Sequence, residues 1–258
     1  MRESPLTILV VGASGSIGRF VVEEAVRRGH KVRALVRNRG KLRLPPPEVD
    51  VIVGDLTRPQ SLSSAVDGVN AIVFTHGSVD GGKSGAEAID YGGVRNVLAA
   101  LGNRHVRIAL MTTIGVTDRK GAHDWKRRGE RLVRASGLPY TIVRPGWFDY
   151  NDANQQQLVL LQGDTRQSGT PRDGVVARRQ IAEVLVRSLK SEEARWKTFE
   201  LVAEHGPEQD DCDLLFASLD ADRKGALDAA HDAPNMPLDQ EPPQVVKELN
   251  IIAKKATT

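Results

Sequence analysis

The stretch VVGASGSIGRF, residues 10–20, restricts the fold of this chain more than any other feature. Its glycines Gly12, Gly15 and Gly18 recur at every third position. They lie after the apolar run LTILVVG and before the amphipathic stretch SIGRFVVEEAVRRGH. A short apolar run is typical of a strand buried on both faces, and apolar residues at helical spacing are typical of a helix. The stretch therefore predicts a tight turn between a buried strand and a helix.

Such a turn is suited to binding phosphate. Gly12 permits the bend, Gly15 lets a pyrophosphate approach the backbone, and Gly18 lets the helix pack against the strand. The start of the helix adds free N–H groups and the positive end of the helix dipole. We predict nucleotide binding here, with an ordinary strand–helix turn as the structural alternative. Further contacts are expected from the tip of the turn and the helix start: Ser14, Ser16 and Ile17.

Strand and helix patterns alternate along the first 146 residues. The strand patterns are LTILVVG, KVRALVR, VDVIVGD, NAIVFTHG, RIALMTT and PYTIVRPG, with helical patterns between them. This alternation predicts an α/β fold of Rossmann type, a doubly wound parallel sheet with helices on both faces. We expect this domain to span residues 1–205, with the substrate side contributed by about 146–205. The Pro- and Asp-rich residues 206–258 are expected to form a small irregular C-terminal lobe or arm on the same unit.

The composition excludes several classes of protein. The 258 residues contain no run of about 18 apolar residues, so we expect no membrane span. The net charge of +3 is small, and no basic run is interleaved with aromatic residues, so we expect no nucleic-acid partner. Cys212 is the one cysteine and cannot by itself form a disulfide or a metal site, and the first residues lack a signal-peptide pattern. These features favour a cytoplasmic protein without a bound metal.

Charge is distributed unevenly along the chain. Residues 19–43 are rich in Arg and Lys, and residues 208–241 are rich in Asp. We interpret most of these side chains as two solvated surfaces of opposite sign. Within the acidic segment, DADRKGALDAAH starts like a calcium-binding loop, but Lys224 and His231 stand where oxygen ligands are required. No calcium site is predicted.

The end of the second strand pattern distinguishes NADP from NAD. NAD-binding chains carry an acidic residue there that accepts from the ribose 2′-hydroxyl. This chain has LVRNRGK, and the planar guanidinium of Arg37 suits a 2′-phosphate. Lys41, Arg43 and Arg19 can add positive charge. The sequence favours NADP(H), with a solvated arginine as the structural alternative for Arg37.

Five motifs in chain order carry a resemblance to a known family. VVGASGSIG, LVRN, GDLT, SGLPYTIVRPG and the helix around Lys126 resemble the atypical short-chain dehydrogenase/reductase superfamily. The likeness is greatest to its NmrA-like and biliverdin-reductase-B-like NAD(P)H-binding members, and it covers residues 5–203. It implies a cofactor along the carboxyl ends of the strands.

The resemblance also implies roles for individual residues. Lys126 would hold the nicotinamide ribose, and Thr113 would replace the family's serine at the end of strand five, with Thr112 beside it. Lys126 and Thr113 are the candidate catalytic residues. The other implied cofactor contacts are Asp55 and Leu56 by the adenine, Thr75, His76 and Gly77 after strand four, and Pro145, Gly146, Trp147 and Phe148 after strand six.

One part of the family's catalytic pair is missing. A tyrosine four residues before the lysine would share its helix face, and the lysine would lower the pKa of the phenol. Here that position is Ala122, within GAHDWKRRGE, and a methyl group transfers no proton. Alternatively, Lys126 is one cation of a solvated basic helix that also carries Arg127, Arg128 and Arg131.

Four other side chains are candidates to replace the tyrosine as a proton donor. His123 lies near Lys126 and can titrate, although a surface role at a helix start explains it better. Tyr91 can point toward the nicotinamide, and packing explains it equally well. Asp149 and Tyr150 follow the RPGW turn, where a surface role is favoured over a lid.

Two classes of function remain. The first is an NADPH-dependent reductase that passes hydride to a small planar acceptor, such as a quinone, an enal or a flavin. Such a reaction needs hydride placement more than a protein acid, because the proton can come from water. The second is a non-catalytic NADP(H)-binding redox sensor or regulator with a protein partner. The missing tyrosine disfavours a sugar-nucleotide epimerase or dehydratase, and no feature indicates an oligomeric state.

We expect NADPH to bind more tightly than NADH, because Arg37 pairs with the 2′-phosphate. Arg37→Ala should remove most of the difference between the two dissociation constants, measured by nucleotide fluorescence. Equal affinities of the unmutated protein for the two nucleotides would contradict this assignment.

Overall fold

A mostly parallel β-sheet forms the centre of the molecule. The computed structural model describes residues 4–42, 47–78 and 83–255. Within them, ten strands form one sheet in the order β3-β2-β1-β4-β5-β6-β10-β9-β7, and β8 pairs with β10. The strands are β1 (Thr7–Val11), β2 (Lys31–Val36), β3 (Val49–Val53), β4 (Ala71–Phe74), β5 (Arg107–Met111), β6 (Tyr140–Pro145), β7 (Trp147–Phe148), β8 (Gln157–Leu161), β9 (Val175–Val176) and β10 (Lys197–Glu204).

The order of the strands confirms the Rossmann-type prediction. The first six run parallel in the order 3-2-1-4-5-6, which is characteristic of doubly wound sheets. Strand β10 extends the sheet in parallel with β6, and β8 and β9 run antiparallel to β10. The carboxyl ends of β1 to β6 therefore share one edge of the sheet.

Helices cover both faces of the sheet, as predicted. Two apolar clusters fill the interfaces, one around α1 and α6 and the other around α4, α5 and α8. A π-helix, Ala86–Tyr91, leads into α4. The helices are α1 (Gly18–Arg27), α2 (Ser63–Val66), α3 (Lys83–Gly85), α4 (Gly92–Leu101), α5 (Ala122–Ala135), α6 (Arg178–Ser188), α7 (Asp213–Ala217) and α8 (Pro243–Lys255).

Helix α5 is covered rather than solvated, which corrects the alternative interpretation of its cations. Arg127, Arg128 and Arg131 are all buried. Arg127 and Arg131 both contact the carboxylate of Asp228, and Arg128 pairs with Glu241 at 2.7 Å. Buried charges require such partners, because burial without a counter-charge costs several kcal/mol.

The interpretation of the acidic segment as solvated is therefore wrong in part. Asp210, Asp211 and Asp220 are exposed, as expected. Asp228 instead pairs with helix α5, and Asp222 is buried and accepts from Arg134 and from the hydroxyl of Tyr140. The charge distribution along the sequence does not reveal these ion pairs, because the partners are 88 to 101 residues apart.

The C-terminal segment contains a helix that the sequence analysis did not identify. Helix α8 buries Val245, Leu249 and Ile252, which recur at helical spacing, against α4 and α5. Its Glu248 accepts from the hydroxyl of Tyr91 at 2.6 Å and pairs with Arg95. The division at residue 206 remains a prediction.

Two further features bear on function. No helix among the described residues combines the length and the apolar character needed to cross a bilayer. In the same part of the chain, no cluster of three or more His, Cys, Asp or Glu side chains is arranged to hold a metal ion.

Candidate functional site

The glycine turn adopts the geometry that phosphate binding requires. Gly12 has φ of +88°, and a β-carbon there would lie 2.8 Å from the backbone nitrogen of His76. A β-carbon on Gly18 would lie 2.0 Å from the carbonyl oxygen of Gly12. The turn therefore depends on both glycines, because a larger residue at either would force the backbone apart.

The tip of the turn is open to a ligand. Ser14, Gly15 and Ser16 are exposed, and no side chain caps the start of α1. The first turn of α1 also lacks an acidic residue, so its positive end is not neutralised locally. Ile17 differs from the other predicted contacts, since its side chain is buried in the core and only its backbone can face a ligand.

Two of the predicted adenine-side residues lie at the same edge. Arg37 is exposed just after β2, and Asp55 follows β3. Hydrogen bonds from Thr57 lower the pKa of Asp55, and the charge of Arg37 contributes to the same shift. Leu56 accepts from Asn96 of α4 through its carbonyl. Of the additional cations considered, Arg19 and Lys41 are exposed, and Arg43 lies outside the described residues.

The loop after β4 joins the phosphate turn to helix α5. Thr75 is buried and donates its hydroxyl to the carbonyl oxygen of Val11 in β1. The backbone of His76 lies against Gly12. A β-carbon built on Gly77 would lie 3.6 Å from Nζ of Lys126. The structure thus brings five of the predicted residues together: Thr75, His76 and Gly77 in the loop, and Gly12 and Lys126 beside it.

His76 is a neutral side chain within this loop. Desolvation lowers its pKa to about 4; the nearby carboxylate of Asp90 opposes this effect, and Lys126 reinforces it. Gly93 of α4 makes room for the ring, because a β-carbon there would lie 2.8 Å from Nε2 of His76. At neutral pH, His76 is therefore an uncharged imidazole and cannot act as an imidazolium acid.

Lys126 has a partner that the sequence analysis missed. Its Nζ donates to Oδ1 of Asp90 at 3.0 Å, and the Asp90 side chain is almost fully buried. The same carboxylate accepts from the backbone N–H and the hydroxyl of Ser78. In the motif IDYGGVRN, the sequence analysis selected Tyr91, whereas the structure shows that the adjacent Asp90 contacts Lys126. The signal in the sequence was an aspartate between apolar residues of a helix pattern.

The two threonines after β5 have different surroundings. Thr112 is buried, and its hydroxyl donates to Glu130 at 2.7 Å while its N–H bonds to β6. Both of its polar hydrogens are therefore already used within the protein, which gives it a structural role. Thr113 is half-buried, and its hydroxyl has a contact of 3.2 Å to the carbonyl of Ile114.

The segment after β6 is split between the core and the surface. Pro145 and Gly146 are buried, and a β-carbon on Gly146 would lie 2.4 Å from the carbonyl of Gly174. Trp147 is 37% exposed and stacks edge-on against Tyr150. Phe148 is partly buried under the guanidinium of Arg178.

The structure removes Tyr91 from the candidate proton donors and leaves a surface role for Tyr150. The hydroxyl of Tyr91 donates to Glu248 on α8, and burial raises its pKa well above the usual range. Tyr150 is 64% exposed. Asp149 accepts from the backbone N–H of Arg178 at the start of α6.

His123 is also engaged elsewhere. Its Nδ1 lies 2.9 Å from the carbonyl oxygen of Gly115 and 3.1 Å from the carboxylate of Asp118. The ring therefore stabilises the start of α5, as the surface interpretation expected.

A second buried cluster supports the loop after β5. Asp164 accepts from the N–H groups of Gly115 and Thr117. Its own N–H donates to Glu200, which also contacts Arg144 at 3.4 Å. Burial raises the pKa of Glu200 to about 8, and Arg144 offsets part of this effect.

A cavity of about 1070 Å³ lies away from all of these residues. It is lined by the ends of α1 and α6 and by residues that precede β1 and β2, such as Pro5 and Gly29. It therefore opens at the amino ends of the strands, opposite the phosphate turn.

Several known proteins are similar to this chain. A family model described as NAD(P)H-binding matches residues 12–192. The chain is 29% identical over 229 residues to an uncharacterised chloroplastic protein of Arabidopsis thaliana, a match that covers 77% of this chain and 70% of that protein. It is 26% identical over 245 residues to sanguinarine reductase of Eschscholzia californica, covering 76% and 88%.

A solved structure shows the same fold. It is a wide-type short-chain dehydrogenase/reductase from Veillonella parvula in complex with NADP. The TM-score is 0.60 at 17% identity, over 81% of this chain and 100% of that one.

The buried Glu200 predicts a stability that falls as pH rises. The folded state keeps a proton up to a pH of about 8, whereas the unfolded chain releases it near about 4.3. Between these values, the stabilisation relative to Glu200→Gln should fall by about 1.4 kcal/mol per pH unit.

Urea unfolding of both proteins at several pH values tests this prediction. Glu204→Gln, at an exposed position on the same strand, controls for the substitution itself. A free-energy difference between the wild type and Glu200→Gln that does not change with pH would contradict the protonated state of Glu200.

Proposed function

Because the chain belongs to the NAD(P)H-binding family whose model it matches over residues 12–192, we propose that it is an NADPH-dependent reductase. In this proposal it transfers a hydride to a small planar acceptor, such as a quinone, an enal or a flavin, without a tyrosine acid. The observation that carries the proposal is the loop after β4. Gly12 of the phosphate turn contacts its start, and Nζ of Lys126 lies 3.6 Å from where a β-carbon on its Gly77 would stand.

The residues at this edge fit a dinucleotide. The exposed tip of the turn and the uncapped start of α1 would bind the pyrophosphate. Arg37 would bind the 2′-phosphate, because no acidic residue follows β2 to favour a free ribose. Lys126 would donate to the nicotinamide ribose from an ammonium with three N–H groups, one of which Asp90 accepts.

The bound cofactor would supply the hydride, and the protein would supply orientation. Thr113 and the aromatic pair Trp147 and Tyr150 lie after the ends of β5 and β6, where they would line the space for an acceptor. A flat aromatic acceptor can stack on such exposed rings. Water would deliver the proton, since His76 is neutral at pH 7 and the hydroxyl of Tyr91 is bound to Glu248.

The second candidate function, a non-catalytic NADP(H)-binding sensor, also has a supporting observation. Ala122 offers no acid, and the hydroxyls of Tyr91 and Tyr140 both donate to buried carboxylates. Without a tyrosine acid beside Lys126, the site would bind the cofactor and transfer no hydride. A protein partner is then expected, and the cytoplasmic location stays a prediction in both cases.

NADPH oxidation at 340 nm, measured with quinones, flavins, enals and dyes, separates the two functions. We expect turnover with at least one acceptor class. Lys126→Met should lower kcat/KM on the order of 100-fold, because the nicotinamide loses its orientation. Lys120→Met, at an exposed lysine before α5, is the matched control and should leave turnover unchanged. Tight NADPH binding without turnover across the panel would instead support the sensor.

A further inference from the structure

Asp90 ties together three segments that meet beside the phosphate turn. Its carboxylate accepts from Lys126 on α5 at 3.0 Å and from Ser78 after β4, at 3.0 Å from the backbone N–H and 2.8 Å from the hydroxyl. Asp90 itself lies in the π-helix Ala86–Tyr91. No other carboxylate contacts Lys126 among the described ion pairs.

Asp90 lies in a π-helix, a feature that recurs at functional sites. Its backbone N–H groups bond five residues back, and the N–H of Gly92 reaches the carbonyl of Glu87 in this way. Two neighbouring residues of this helix have different partners: Asp90 meets Lys126, and Tyr91 meets Glu248 on α8.

The pairing changes what the lysine can do. In a tyrosine–lysine pair, the positive charge of the lysine lowers the pKa of the phenol beside it. Here a buried carboxylate compensates that charge, and His76, which also lies near the pair, is neutral at pH 7. The carboxylate therefore offsets the charge with which Lys126 would activate an acid at position 122.

We propose that Asp90 is a positioning residue, which fixes Lys126 as a charge-compensated hydrogen-bond donor and thereby suits the site to hydride transfer without a protein acid. The part of this inference that concerns the cofactor rests on the proposed function. The electrostatic part does not, because it concerns the pair itself.

A tyrosine introduced at position 122 tests whether Asp90 compensates the charge of Lys126. Ala122→Tyr places a tyrosine one helical turn before Lys126, on the same face of α5. Its pKa can be read from absorbance at 295 nm after subtraction of the parent protein. We expect this pKa to be about one unit lower when Asp90→Asn is added, because the charge of Lys126 is then no longer compensated.

The matched control is Glu87→Gln, which removes an exposed carboxylate from the same π-helix as Asp90. The described ion pair of Lys126 is with Asp90 and not with Glu87. The charged or titratable groups near position 122 are the same in all these proteins: Asp118, Arg119, Lys120, His123 and Asp124. The control should leave the phenol pKa unchanged. If Asp90→Asn does not fold, Asp90→Ser also removes the charge and can still bond to Ser78.

A phenol pKa that is equal with and without the Asp90 carboxylate would overturn the proposal. NADPH binding to the protein with Ala122 intact gives the second readout. Asp90→Asn should raise the dissociation constant about tenfold, whereas Glu87→Gln should not. An unchanged dissociation constant would overturn the positioning role. If the unmutated protein binds no NADPH, the proposed function fails, and the phenol titration still tests the compensation.

Discussion

Buried ion pairs hold helix α5 in place, and the candidate site depends on the position of that helix. Arg127, Arg131 and Arg134 are buried on it, and each contacts a carboxylate of the C-terminal segment. Breaking such a pair by removing one partner costs about 3–5 kcal/mol, because the remaining charge stays buried. Lys126 lies on the first turns of the same helix. The C-terminal segment therefore fixes the site without entering it.

Carboxylates also organise the carboxyl edge of the sheet. Glu130 accepts from Thr112 after β5 and from Arg144 of β6, and Asp164 accepts from the loop that follows Thr113. Asp90 does the same for the loop after β4. Two loops that would lie beside a nicotinamide, after β4 and after β5, are thus held by buried acids. Hydride transfer requires a fixed distance between donor and acceptor. Loops that are held by buried carboxylates would keep this distance constant.

The sequence predicted the sheet and the phosphate turn because both depend on local patterns. Runs of apolar residues predict buried strands, and the glycine at position 12 permits the positive φ that the turn requires. It could not predict the pairing of Asp228 with α5, since charge composition contains no information about distant contacts. A motif predicted Lys126 but not its partner Asp90, because the two residues are 36 positions apart and no motif links them. Tyr91 was consequently left with two open roles.

A crystal structure with bound NADPH tests the central claim most directly. The account predicts the pyrophosphate at the N–H groups around Gly15, the 2′-phosphate at Arg37 and the ribose hydroxyls within hydrogen-bonding distance of Lys126. The bond between Lys126 and Asp90 should persist in the complex. A cofactor bound elsewhere, or a Lys126 that leaves Asp90 to contact the ligand alone, would contradict the account.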